Sequence, residues 1–245
     1  MMGETNTVRK AHDATAPPRA PVYVISRDGE PERLVALWAE ADRLGIELHR
    51  VAATDGVAGE DSARMRLSDH RRAWQRVAEG EHSHAVVLED VAALDDRLAP
   101  FLDAARLVRD LPPRAVVNLD GGRPGDGEPR IAAAPNGFGR CSAYVLASEA
   151  ASTLLAAPRG DETLERALAG GGEHGLTLCV VEPALVVMPE TGVSETGWRA
   201  RLAGLSRRLL ARSTGRAEAE PVAAVPPLRP LPQRPATTRP ATETA

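Results

Sequence analysis

Two carboxylates, Glu89 and Asp90, stand at the end of the apolar run HAVVL (84–88), and Val91 follows them. Acids in that position can cap a helix or face water in a turn. They can equally offer oxygens to Mg²⁺ or Mn²⁺ while a diphosphate supplies further ligands, so both readings stay open. A metal held there would neutralise charge as the diphosphate departs. Two more apolar runs close on chemistry-bearing residues: VYVIS (22–26) leads from Ser26 into Arg27-Asp28, and RAVVNLD (114–120) ends on Asn118, Leu119 and Asp120. Arg27 and Arg33 fall at the turn from the first strand into the first helix, where backbone N–H groups also favour anions. Arg33 is almost as well explained as a surface arginine paired with a neighbouring glutamate. His70 falls on one helical face with Leu67, Trp74 and Val77. That company favours a hydrogen-bonded core histidine, bracing the Glu89 strand, over one that touches a ligand.

The elements that must position these residues alternate. VYVIS is a short β-branched run suited to a buried strand. A helix follows from Pro31, with acids in its first turn, an apolar face of Leu34, Leu37, Trp38, Ala41 and Leu44, and Gly45 as its stop. IELHRV (46–51) is the second strand and 62–79 the second helix. HAVVL is the third strand, 94–111 a helix interrupted by Pro100, and 114–120 a strand. The Gly- and Pro-rich stretch 121–130 is an ordinary long loop in preference to a mobile cover, and it lacks a phosphate-loop pattern. CSAYVLA (141–147) is a strand, with Ser148 capping the next helix. A short helix at 161–169 and strands at 176–181 and 184–188 complete the series. Strands alternating with helices predict one α/β domain with a mostly parallel central sheet, whose ligands bind beyond the carboxyl ends of the strands.

Composition narrows the function classes. A formal charge of −4 and a pI of about 5.9 argue against a nucleic-acid binder, as does an aromatic content of two Phe and two Tyr beside three Trp. Cys141 and Cys179 lack metal-ligand spacing and read as reduced, buried thiols of a cytoplasmic protein. Residues 1–20 are polar without a leader pattern, and 216–245 form a Pro-rich tail; both are expected to be disordered, leaving 21–215 as the folded unit. The segment 199–212 carries Leu202, Leu205, Leu209 and Leu210 at helical spacing with five arginines. A terminal helix docked on the core is the preferred account; peripheral contact with an anionic membrane surface is the alternative.

In order and spacing, VYVISRDGEPERLVALWAEADRLGIELHRVAATDG, LSDHRRAWQRVAEGEHSHAVVLED and GFGRCSAYVLASEAASTLLAA resemble glycosyltransferase family 25, which includes lipopolysaccharide and collagen galactosyltransferases. The resemblance spans roughly 21–190 and is tightest at 21–56 and 67–90. It implies a glycosyltransferase-A-like, Rossmann-like fold, a UDP-sugar donor, a saccharide or lipid-linked acceptor, and Mn²⁺ or Mg²⁺ at a Glu-Asp-Asp motif. Glu89 and Asp90 match the first two positions of that motif, with Asp90 as the metal ligand; the third is Val91, so water or Asp120 would have to replace the missing ligand. In the family's Leu-Ser-His segment His70 matches and Asp69 takes the place of the serine. Arg27 and Arg33 keep the family's arginine pattern and, with Ser26 and His70, form the expected donor contacts. Asp161 stands near the family's Pro-Val-Asp segment. If the family's inverting transfer carries over, Glu89, Asp120 and Asp161 are the candidates for the carboxylate that takes the acceptor's proton. The alternatives are a catalytically degenerate member that binds a sugar nucleotide or a partner, and an unrelated α/β protein.

Overall fold

A computed structural model describes residues 18–29, 31–54, 61–123, 125–157 and 163–187 of the 245-residue chain. The first unit runs as expected: β1 (Val22–Ser26), α1 (Pro31–Arg43), β2 (Leu48–Ala52). Gly45 ends α1 at φ 63°, a left-handed conformation that glycine adopts without strain. Around it the Ile46 amide donates to the Ala41 carbonyl at 2.8 Å and the Gly45 amide to Asp42 at 3.0 Å, a Schellman closure. Next come α2 (Asp61–Glu79) and β3 (His84–Glu89).

The region expected to be one helix over 94–111 is three elements. Leu94 belongs to β4 (Ala93–Leu94), which is followed by α3 (Leu98–Phe101) and α4 (Ala104–Asp110). Pro100 is not the break, because it sits in the first turn of α3, where its missing N–H costs nothing. Asp103 is: its carboxylate accepts the Arg106 amide at 2.7 Å and starts α4 anew. Pro18 and Ala20 then bond the freed backbone, Ala20 N–H donating to Leu102 O and Ala104 N–H to Pro18 O, each at 2.9 Å. Residues 18–20 thus belong to the folded body, although composition placed them in the tail.

β5 (Ala115–Asn118), β6 (Arg130–Ala133), β7 (Ala143–Ala147), α5 (Ser148–Ala156), α6 (Leu164–Gly170), β8 (Thr177–Glu182) and β9 (Val186–Val187) follow. Ser148 is the first residue of α5 rather than its cap; Ala147 holds the cap position and supplies no side-chain bond. The central sheet has the order β2-β1-β3-β7-β5-β8-β6. Five of its strands share one direction, opposed by β7 and β6. It is the α/β, Rossmann-like, mostly parallel sheet that the sequence predicts. Side chains alternate between two cores. Val24, Val86, Leu88, Val117 and Val145 face α1, α3 and α4; Val87, Val116, Tyr144 and Leu146 face α2, α5 and α6. With both faces covered, the strands are apolar throughout, which explains HAVVL.

Candidate functional site

β1 and β3 are parallel neighbours in register from Val22 beside Val86 to Ile25 beside Glu89. The chain leaves β1 toward β2 on one side and leaves β3 toward the far half of the sheet, so a crevice opens at their carboxyl ends. A cavity of about 410 Å³ occupies it, a size usual for small-molecule sites. β1 and the start of α1 contribute Ser26, Arg27 and Arg33 to its wall. Arg66, Asp69 and His70 come from α2, Glu89, Asp90 and Val91 from the end of β3, and Thr163 and Glu165 from α6.

Of the residues expected to act, Ser26, Arg27, Arg33, His70, Glu89 and Asp90 meet here. Asp120 is not among the lining residues, and Asp161 lies outside the described residues, as do 199–212 and the tail 216–245. Asp120 instead braces the strand ends, one carboxylate oxygen accepting the Ser142 amide at 3.1 Å while the other is buried without a partner among the described residues. Burial pushes its carboxyl above the usual range, against the pull of the Ser142 bond, and the nearby Glu89 charge adds to the rise. Asp95 and Asp96 point away, to Arg97 and Arg43.

His70 is fully buried, with Nδ1 2.8 Å from the Tyr144 hydroxyl and Nε2 3.0 Å from Glu89 Oε1. Burial holds its pKa down, so the ring is neutral at pH 7. Glu89 is an ionised acceptor, so Nε2 must carry the proton and Nδ1 must accept from Tyr144 O–H. The same Tyr144 oxygen then accepts from Trp74 Nε1–H at 2.7 Å. A one-way chain of donors, Trp74 to Tyr144 to His70 to Glu89, fixes the carboxylate from the core side. Burial would raise the Glu89 pKa, but the His70 bond and the Arg66 charge outweigh it and hold this carboxyl below its ordinary value.

Arg66, unremarked in the sequence, is the centre of the site. Its Nε donates to Glu89 Oε1 at 2.6 Å and one terminal nitrogen to Glu165 at 2.5 Å. The other reaches the Cys141 carbonyl at 3.1 Å and the Ser142 hydroxyl at 3.2 Å. Its position four residues before His70 was the available signal, since i and i+4 share a helix face. Glu165 gave no signal of its own. Asp69, in the place of the family's serine, binds the Thr54 amide and hydroxyl at 3.0 and 2.8 Å and Arg72 at 2.6 Å, tying the end of β2 to α2. Ser26 accepts from Arg50 Nε at 2.8 Å, and Arg50 also pairs with Asp28.

Mg²⁺ or Mn²⁺ at this site would draw on Glu89 Oε2 and the Asp90 carboxylate, with water and a diphosphate completing its shell. Glu89 Oε1 is already shared by a guanidinium and an imidazole N–H, and Val91 brings no side-chain oxygen. Among the described residues no group of three His, Cys, Asp or Glu is arranged to hold a metal ion. Hard divalent cations take six or more oxygens, and a neighbouring guanidinium repels them.

Fold and cavity together define an α/β protein with a polar crevice at a topological switch point. No protein-family model matches the chain, and no curated protein matches it. Among solved structures it is similar to a glycosyltransferase involved in glycosylation of the major capsid of PBCV-1. Identity there is 9%, with a TM-score of 0.46, over 75% of this chain and 99% of that one. It is also similar to the inositol-1-phosphate CTP transferase from T. maritima at 10% identity and a TM-score of 0.39, over 75% and 76% of the two chains. No helix among the described residues is long and apolar enough to cross a membrane.

Proposed function

We propose that the chain is a glycosyltransferase-A-like hexosyltransferase that takes a hexose, galactose by the family resemblance, from a UDP-sugar to a saccharide or lipid-linked acceptor. The observation that carries this reading is the cavity at the ends of β1 and β3, whose wall includes Arg27, Arg33 and Arg66 together with Glu89 and Asp90. A leaving diphosphate needs positive charge that is already oriented, and guanidinium groups supply it in a planar, hydrogen-bonding form. The acceptor hydroxyl needs a base, and the carboxylates proposed for it are Glu89 and Asp90 on the cavity wall, with Asp161 as a further candidate.

A second reading, a binding protein without catalysis, is favoured by Val91 in the motif's third position. Thermal-shift titration with UDP-hexoses separates these readings from an unrelated function, because a ligand specific for the native state raises the melting temperature. UDP release on adding saccharide acceptors identifies an enzyme. A shift without release identifies a binding protein, and no shift with any nucleotide sugar removes both. Arg27→Ala should weaken UDP-sugar binding about tenfold, the value of one charge-assisted hydrogen bond.

A further inference from the structure

We infer that Arg66 takes the place of a divalent cation at this site, so that the diphosphate of the donor is held by guanidinium groups alone. The inference rests on the donor-site reading above and goes beyond it by assigning the cation. Glu89 is the acid that the motif would give to a metal, and its Oε1 instead grips Arg66 Nε at 2.6 Å. The grip is built from several directions. Glu165 holds a second nitrogen from α6, and Cys141 O with Ser142 Oγ hold the third at the entry to β7. His70 fixes Glu89 from behind through a chain that reaches Trp74 in the core, so the carboxylate that grips Arg66 is itself held in place. Arg66 still lines the cavity, as do Asp90, Arg27 and Arg33. All three guanidinium nitrogens of Arg66 are engaged by these acceptors, so a ligand oxygen would compete with or share them. Glu165 stands as the counter-ion that an entering diphosphate would displace or share.

The test is calorimetric titration of the full chain with UDP and with inorganic pyrophosphate, first in EDTA and then in excess Mn²⁺ or Mg²⁺. The expected result is binding of both ligands in EDTA, with affinity changed by no more than about twofold on adding metal. Binding only with metal, or about tenfold tighter with it, overturns the assignment of Arg66 while leaving the donor-site reading intact. Binding of neither ligand under either condition overturns the donor-site reading itself. Two variants sharpen the result. Arg66→Ala should lose most of the affinity in EDTA, and retained affinity overturns the inference. Glu165→Gln keeps the Arg66–Glu89 pair and should tighten pyrophosphate binding; unchanged or weaker binding overturns it, and this variant decides the matter if Arg66→Ala does not fold.

Discussion

His70 has one tautomer open to it, and that fact sets the behaviour of its neighbours. Tyr144 O–H donates to His70 and accepts from Trp74, so Tyr144→Phe strands two buried groups at once. We expect it to cost about 1–3 kcal/mol for each unsatisfied group, read from urea unfolding. Glu89 in the cavity and Asp120 behind the strand ends respond to pH in opposite senses. Glu89 is held below its ordinary pKa, so its contribution is fully present above about pH 4.3 and is lost as pH falls through the lower native value. Glu89→Gln should therefore flatten the acid limb of stability against pH. Asp120 is held above its ordinary value by burial, so its ionisation costs stability once pH rises through that raised value. Asp120→Asn should raise the melting temperature at pH 7, with the gain vanishing below about pH 4, and should leave UDP-sugar binding unchanged.

At the scale of elements, caps and closures decided where the sequence could be followed. Gly45, Pro31 and the Leu34–Leu37–Ala41 face made α1 legible to within a residue, because each signal acts on neighbours a turn away. The apolar runs placed β1, β3, β5 and β7 for the same reason. What escaped was imposed from a distance. Leu94 reads as helix until β9 pairs with it, α4 restarts because residues 18–20 fill the gap before it, and β6 is a four-residue edge strand hidden behind a Gly- and Pro-rich loop. The site divides likewise. Glu89, Asp90 and Arg27 are legible as strand ends, whereas the Arg66–Glu165 pair spans residues that only the packing of α6 on α2 brings together. Asp103→Ala should cost about 1 kcal/mol by removing the cap of α4, measured by thermal unfolding, and leave ligand binding intact.

Across the whole molecule, the sheet divides two cores that share only its strands. Leu98 lies in one and Leu154 in the other. Each truncated to alanine should cost about 2–5 kcal/mol, and the double variant should show the sum, because the two sites have no partner in common. A departure from additivity in chemical unfolding would mean that the strands transmit strain between the cores. The chain from Trp74 to Glu89 crosses from α2 to β7 and back to the mouth of β3, and Arg66 closes it. It is therefore inherited as a set. A lineage that exchanges Glu89 for a neutral residue strips a half-buried arginine of one of its two counter-ions and leaves a buried imidazole proton without an acceptor, so descendants that alter position 89 should carry compensating changes at 66 and 70, while the exposed arginine at 27 remains free to drift alone.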